Sequence, residues 1–247
     1  MEIARVLLNH GADIESRDNY DQSPLENVAQ EGHVELLQVF LEHGGDANAQ
    51  DKERRTPLYW ALEAGQLGVA RVLLSHGVDV NARNENNWVL LHGAQDVTTA
   101  RFLLEHGADA NALDMKNRTP LHRATKRGYV GAARALLEYG VDANAQDSNN
   151  ATPLHLASDS EFGVEGCLEV ARLLLQHGSD IHALDDEGRT PFMRATAIGN
   201  REMVLLLLEH GAEITGCDDG GRPGGRHVGW ERLSSYAEDQ HHTSHAT

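Results

Sequence analysis

The chain has little of what a disulfide-stabilised, secreted or membrane-spanning protein needs. Its 247 residues include two cysteines, Cys167 and Cys217, too few for a disulfide framework. The longest apolar run, 203–208, is far shorter than the roughly 20 residues of a transmembrane helix. Glu2 and a single apolar helical turn follow Met1, which argues against a secretory signal. These absences predict an intracellular protein with reduced thiols, in the cytoplasm or the nucleus.

Aromatic residues are scarce, and positive charge is outweighed by negative charge. Only 5% of the residues are aromatic, which is low for the core of a globular enzyme. The 38 acidic and 21 basic residues give a formal net charge of −17. A surface of this sign disfavours the phosphates of nucleic acid and of anionic membranes. We therefore expect neither nucleic acid nor a membrane as a partner.

No motif for catalysis or for cofactor binding is present. The sequence lacks G-x-S-x-G, H-E-x-x-H, a phosphate loop, the dinucleotide fingerprint G-x-G-x-x-G and paired C-x-x-C motifs. We therefore expect no enzyme activity and no cofactor. An alternative enzyme hypothesis would depend on Glu161, Glu165, Cys167 and His182, which show no recognisable pairing.

A segment of about 33 residues repeats through nearly the whole chain. One anchor reads Thr-Pro-Leu-His at 119–122 and 152–155, with degraded copies at 23–25, 56–58 and 190–192. A second anchor, Leu-Leu-x-His-Gly-x-Asp, recurs with its glycine at Gly11, Gly44, Gly77, Gly107, Gly178 and Gly211. Self-similarity at a fixed period of this length indicates a stacked solenoid.

Within one repeat, the residue types predict the local structure. Asn117 tolerates the left-handed backbone of a tight turn, and Thr119 can cap the following helix with Pro120 at its first position. Gly128 and Gly140 can then end the first and the second helix by adopting positive φ. Acidic residues at the repeat openings are explained by the same turn chemistry.

These motifs resemble the ankyrin repeat. The resemblance implies an all-α solenoid of helix-turn-helix units with β-hairpin fingers. It predicts a partial first repeat, 1–17, that holds only a second helix. Six repeats follow, at 18–50, 51–83, 84–113, 114–146, 147–184 and 185–217. The Gly/Ser/His-rich segment 218–247 is expected to be disordered and dispensable for the fold.

The 15 histidines invite a metal hypothesis, but most recur at two positions of the repeat. The first set precedes a helix-ending glycine, where the ring can bond the last carbonyls. It comprises His10, His43, His76, His106, His177 and His210. The second set is His92, His122 and His155, which in the family form hydrogen bonds between adjacent loops. Translated copies cannot converge on one ion, and the tail histidines 241, 242 and 245 have no ordered scaffold, so we expect no metal site.

Two repeats depart from the period. The repeat 84–113 lacks three residues and replaces Thr-Pro with Val89-Leu90, which predicts the weakest unit. The repeat 147–184 gains five residues within 159–167. Insertions on solenoid loops can carry function, but tolerated loop drift is the simpler explanation of this one.

The resemblance also implies where a partner binds. In ankyrin-like stacks the finger tips and the facing side of each first helix form a groove. Here these positions carry tryptophan, tyrosine and arginine, which are enriched in binding hot spots. The segment 114–134 has six basic residues and one acid, although a solvated helix face would have the same composition. The predicted partner-binding residues are Tyr20, Arg55, Trp60, Trp88, Met115, Arg118, Arg123, Lys126, Arg127, Arg189 and Arg194.

The sequence therefore predicts a monomeric, non-catalytic scaffold for protein–protein interaction. We expect its partner to present an acidic segment with apolar or aromatic anchors, and we expect the basic residues and the two indoles to act as one surface. The alternative is a regulatory or targeting module of a larger multidomain protein, which the missing first helix of repeat 1–17 favours.

Overall fold

The computed structural model describes residues 2–19, 21–159 and 165–214, and all regular secondary structure in these ranges is helical. The chain divides into two compact units, Met1–Met115 and Lys116–Thr247. Within each unit, short helices pair with the next helix along the chain and with the corresponding helix of the next repeat. The predicted architecture of repeated helical pairs is confirmed.

The first unit contains the partial repeat and the next three repeats. Its elements are α1 (Glu2–Asn9), α2 (Pro24–Glu31), α3 (Val34–Glu42), α4 (Pro57–Glu63), α5 (Leu67–Ser75), a 3₁₀ turn (Leu90–Gly93) and α6 (Val97–Glu105). Helix α2 packs on α3 and α4, and α4 packs on α5. Helix α1 has no buried residue, and its side chains Ile3, Val6 and Leu7 are exposed.

The second unit contains the last three repeats. Its helices are α7 (Pro120–Arg127), α8 (Val130–Tyr139), α9 (Pro153–Ser158), α10 (Glu165–Gln176), α11 (Pro191–Ile198) and α12 (Arg201–Glu209). Helix α7 packs on α8 and α9, α10 packs on α8 and α9, and α11 packs on α9 and α12. Leucines in the Thr-Pro-Leu position, such as Leu121 and Leu154, are fully buried. Burial of each such side chain contributes roughly 1.5–3 kcal/mol to folding.

A hydroxyl residue followed by proline starts the first helix of most repeats. Oγ1 of Thr119 accepts a hydrogen bond from the backbone N–H of His122, and Pro120 is the first residue of α7. The same arrangement starts α2, α4 and α11. Positive φ at Gly128 and Gly140 ends α7 and α8, as predicted.

The opening acid of each finger organises a tight turn. In the second repeat, the backbone N–H groups of Glu53 and Arg55 both donate to Oδ1 of Asp51, at 2.9 Å each. The backbone N–H of Asp51 donates to the carbonyl of Arg55 at 3.1 Å, and the chain turns at Arg54, with a φ of 60°. The same left-handed position is held by Asn87, Asn117, Asn150 and Gly188. In the described ranges the predicted β-hairpins are therefore hydrogen-bonded turns without assigned strands.

Successive fingers of the second unit are joined through the main chain. The backbone N–H of Ser148 donates to the carbonyl of Lys116 at 2.9 Å. One repeat later, the backbone N–H of Asp186 donates to the carbonyl of Asn149 at 3.0 Å. These two bonds set the spacing of the finger tips without using any side chain.

At least eight of the nine histidines at the two repeat positions form the hydrogen bonds predicted for them. In the first set, ring Nδ1 lies 2.7–2.9 Å from the carbonyl oxygen four residues earlier. In the second set, Nε2 of His122 donates to the carbonyl of Ala151 at 3.1 Å, and Nε2 of His155 donates to that of Arg189 at 3.0 Å. Burial lowers the pKa of His155, which favours the neutral ring.

The two irregular repeats differ from the others in their helices. The shortened repeat has only the 3₁₀ turn Leu90–Gly93 where its neighbours have a first α-helix. In the lengthened repeat, α10 has 12 residues whereas α8 has 10, so part of the insertion extends this helix. Residues 160–164 lie outside the described part of the chain, as does the predicted tail, 218–247.

Candidate protein-binding surface

The finger arginines are engaged by acids of their own finger. Nε of Arg55 donates to Oδ2 of Asp51 at 2.7 Å, and Nη1 lies 2.7 Å from Oε2 of Glu53. Arg189 forms the corresponding pair with Asp185 at 3.1 Å. The carboxylates of Asp51 and Asp185 are 1% and 0% exposed, so these pairs stabilise the finger. A partner therefore meets guanidinium groups whose charge is already matched.

The indole of Trp60 on α4 lies against Arg55. The guanidinium carbon of Arg55 is 4.4 Å from the centroid of the Trp60 ring, a cation–π distance. Tyr59 packs edge-on against Trp60, with 5.5 Å between ring centroids. The side chain of Trp60 is half-buried, and its Nε1 is buried without a hydrogen bond to any described residue. Trp60 thus presents part of one aromatic surface, held in place by its own finger.

Trp88 is less available than the sequence predicts. Its side chain is half-buried, and Nε1 donates to Oδ2 of Asp114 at 3.3 Å. Its backbone N–H donates to Oδ1 of Asn84, the opening residue of its own finger. The indole is therefore partly committed to the fold, because it bonds to the acid that opens the next finger. Replacement of Trp88 will therefore affect stability as well as any binding.

Arg194 is part of an internal ion-pair network. Its side chain is 8% exposed; Nε and Nη2 lie 2.8 and 2.7 Å from Oδ2 of Asp185, and Nη1 pairs with Asp159. Burial acts to raise the pKa of Asp185, but hydrogen bonds from the Arg189 backbone and from the side chains of Arg194 and Arg189 outweigh it and lower the pKa. Both charges are therefore kept in the folded protein. This burial is incompatible with the predicted contact to a partner, and Arg194 does not belong to the binding surface.

Lys126 and Arg127 remain as accessible cations in the second unit. Both side chains are exposed at the C-terminal end of α7, where positive charge is favoured by the helix dipole. Neither side chain forms a hydrogen bond or an ion pair with another described residue. Arg118 and Arg123, by contrast, are half-buried and already engaged in interactions.

Met115 and Tyr20 are the other two residues predicted to bind a partner. Met115, at a finger tip in the first unit, is 74% exposed. Tyr20 lies outside the described residues. Each unit therefore carries candidates of its own, and the predicted joint action of the indoles and the basic residues stays a prediction.

Other kinds of site find no support in the described part of the chain. It contains no group of three or more His, Cys, Asp and Glu side chains arranged to hold a metal ion. Within the same ranges, every helix is too short or too polar to cross a membrane.

Comparison with known proteins identifies a family and a similar fold. The sequence model described as ankyrin repeats (3 copies) matches residues 1–84, 90–185 and 142–218. The crystal structure of the ankyrin repeat domain of Bcl-3, described as a unique member of the IkappaB protein family, is similar at 26% sequence identity and a TM-score of 0.69. The match covers 84% of this chain and 91% of that one. No curated protein sequence matches significantly.

Proposed function

The chain belongs to the ankyrin repeat family, and from this premise we propose that it is a non-catalytic scaffold that binds a protein partner. Ankyrin repeats are in general modules of protein–protein interaction. The residues that support this function here are those at finger tips and on first helices, where the two units expose aromatic, apolar and basic side chains.

The exposed pair Lys126 and Arg127 carries this proposal. Arg55, Arg189 and Arg194 each pair with acids nearby, whereas Lys126 and Arg127 are exposed cations in a chain with a net charge of −17. Two exposed positive charges bring little to folding, because exposed charges contribute only about 0–1 kcal/mol. A partner with an acidic segment would be attracted by them.

The first unit contributes apolar contact area. Trp60 is supported from one side by Arg55 and Tyr59, and Met115 is exposed at its finger tip. Tryptophan and methionine are enriched at the centres of interfaces. Charged residues at the rim guide association. The partner that we propose therefore combines acidic residues with apolar or aromatic anchors.

Affinity capture from a native extract tests this function. The intact chain should retain one or a few proteins, and Lys126→Glu should reduce that recovery by several-fold. Arg172→Glu is the matched control, because it makes the same change of charge at an exposed position of α10, a second helix. Both variants should keep the melting temperature of the wild type.

Two results would contradict the proposal. Equal loss of captured protein in both variants would mean that net charge alone governs retention. Capture of no protein by the intact chain would remove the basis for the function itself. The alternative, a module of a larger polypeptide, stays a prediction that the mass of the native product can check.

A further inference from the structure

The shortened repeat leaves a cavity in the first unit. Its volume is about 180 Å³, and it opens between α4 and the segment that contains the 3₁₀ turn and the start of α6. Gly93 stands four residues after Val89, as Trp60 stands four residues after Thr56 in the preceding repeat. A position that carries an indole in one repeat therefore carries no side chain in the next, where Gly93 lines the cavity.

Apolar side chains and acidic groups both line the cavity. Leu62, Ala94 and Leu103 line it and are 8%, 3% and 0% exposed. Glu63 at the end of α4 and Asp96 at the start of α6 contribute the carboxylates. None of the described residues that line the cavity is basic.

Asp96 is held in its charged form by the start of α6. Burial acts to raise the pKa of Asp96, but hydrogen bonds from Thr99 and Thr98 outweigh it and lower the pKa below its ordinary value. Oδ1 of Asp96 accepts the backbone N–H groups of Thr98 and Thr99 at 2.8 and 2.9 Å, which fixes the carboxylate as the cap of α6. Glu63 is exposed, and its charge adds to the effect of burial in raising the pKa of Tyr59, whose hydroxyl therefore stays protonated.

We propose that this cavity binds a lysine or arginine side chain of the protein partner. Its volume is below the roughly 300–1,000 Å³ of sites for cofactors and drug-sized ligands, so a single side chain fits it better than a free metabolite. The aliphatic stem of lysine or arginine can pack on the leucines of the lining, and its charged head is complementary to the carboxylates of Glu63 and Asp96. Only the source of this side chain rests on the proposed function, since the chemistry of the cavity is a property of the chain alone.

Small alkyl cations test the cavity directly. Butylammonium and butylguanidinium stand for the lysine and arginine side chains, and they would be titrated into the isotopically labelled full chain. Methyl resonances of Leu62 and Leu103 should shift saturably at about millimolar concentration, as expected for ligands of this size. Butan-1-ol and butyrate, of the same length, should bind more weakly by several-fold.

Three variants make the assignment specific. A Cβ at Gly93 meets no atom within 4 Å, so Gly93→Leu should fill the cavity without unfolding the chain and should abolish the shifts. Glu63→Gln should weaken binding of both cations by about 2- to 5-fold, the range of a partly exposed ion pair. Glu31→Gln is the matched control, because Glu31 is the exposed last residue of α2 and does not line the cavity.

The outcomes separate this proposal from the proposed function. Equal affinity for butan-1-ol and the cations, unchanged shifts in Gly93→Leu, or no saturable shift would each overturn the cation site. A chain that captures a protein but ignores the cations contradicts only the cavity. A chain that binds the cations but captures no protein contradicts only the scaffold function. If the site is right, Gly93→Leu should also weaken capture of the partner.

Discussion

Gly166, in the first turn of α10, lies against the turn that joins α7 and α8. A Cβ at this position would be 2.0 Å from the carbonyl oxygen of Gly128, a distance that no packed side chain adopts. The thiol of Cys167 donates to the carbonyl of Thr125 at 3.3 Å in the same contact. The extended α10 therefore closes on the end of α7 through main-chain atoms, which cannot move aside as a flexible side chain can.

Gly166→Ala should destabilise the protein by about 1–3 kcal/mol, the cost of overpacking a closely packed contact. Gly68→Ala is the matched control, since Gly68 is the second residue of α5 and its added Cβ would lie 3.3 Å from a methyl group of Val34. The control should be neutral or stabilising, because alanine is favoured over glycine within a helix by about 1 kcal/mol. Urea unfolding compares the two, and equal free energies of unfolding would show that α10 shifts to relieve the contact.

Glu26 is a buried acid in the position that histidine holds in other repeats. It is 0% exposed, its Oε2 accepts the backbone N–H of Ser23 at 2.5 Å, and its Oε1 has no hydrogen bond to a described residue. Burial raises its pKa against the hydrogen bonds from Ser23; Asp51 also raises the pKa, and Arg17 lowers it. A raised pKa means that the folded state favours the protonated acid.

This shift predicts a pH dependence of stability. The contribution of Glu26 is fully present below its unfolded pKa and is lost as the pH rises through the higher folded pKa. Glu26→Gln does not titrate, so at pH 7.5 it should be more stable than the wild type by about 1–3 kcal/mol. At pH 4 this difference should be much smaller. Urea unfolding at both pH values measures this difference in the free energy of unfolding. The control is Glu35→Gln, since Glu35 is exposed. An equal gain in stability at both pH values would exclude titration of Glu26 as the cause.

Among the elements, we expect the 3₁₀ turn Leu90–Gly93 to be the least stable, because it stands where other repeats have an α-helix. Val89 has no side-chain oxygen to cap it, and the backbone N–H of Val89 donates instead to Nδ1 of His92 at 3.2 Å. At the start of α7, Oγ1 of Thr119 lies 2.9 Å from Nδ1 of His122, an interaction that Val89 cannot make.

Hydrogen exchange should therefore be faster in residues 84–97 than in residues 114–131. In a repeat array each unit is stabilised mainly by its neighbours, so a weak unit opens below the free energy of global unfolding. Mass-spectrometric exchange resolves both segments. Equal protection would show that contacts from α4 and α6 compensate for the missing helix.

Val89→Thr should restore part of the cap. The backbone N–H of His92 now donates to the carbonyl of Val89 at 3.0 Å, and the new hydroxyl can share it. A complete cap is typically worth about 1 kcal/mol. The Val89→Ala variant provides the comparison, because this change removes most of the buried side chain without adding an oxygen. Greater protection of 84–97 in the threonine variant than in the wild type is the expected result, and lower protection would mean that the buried valine methyl matters more.

Local patterns predicted the helices, while long-range pairing escaped prediction. The start of α7 is predictable from Thr119 and Pro120, because the cap involves only residues close in sequence. The hydrogen bond of His122 is predictable because its partner, Ala151, lies about one repeat further along the chain. The prediction for Arg194 was wrong because Asp185 and Asp159, the latter beside an irregular insertion, converge on it only in three dimensions. The bond between Trp88 and Asp114, 26 residues apart, has no local signal either. The cavity did have a local signal in the sequence, the glycine at position 93. The volume of the cavity, however, depends on the packing of the residues around it.

For the whole molecule, the net charge of −17 sets the background against which Lys126 and Arg127 act. Their attraction for the acidic partner proposed above would be local, because salt screens exposed charges over about 8–10 Å at physiological ionic strength. Association with the captured partner should therefore slow as salt is added.

Lys126→Glu and Arg127→Glu should slow association and flatten its dependence on ionic strength, with little change in the dissociation rate. Surface plasmon resonance with the captured partner at several salt concentrations measures both rates, again with Arg172→Glu as the control. A change confined to the dissociation rate would place these side chains within the desolvated contact instead of at its rim.

The finger tips of the second unit are joined by main-chain hydrogen bonds from Ser148 and Asp186. Because an N–H group is common to every amino acid except proline, this linkage does not depend on which residue occupies the tip. Tip positions can therefore be diversified in a combinatorial library, with proline omitted at 148 and 186, while the spacing of the fingers is kept. By the same physics, mutational drift at these tips can change the surface that the fingers present long before it changes the architecture.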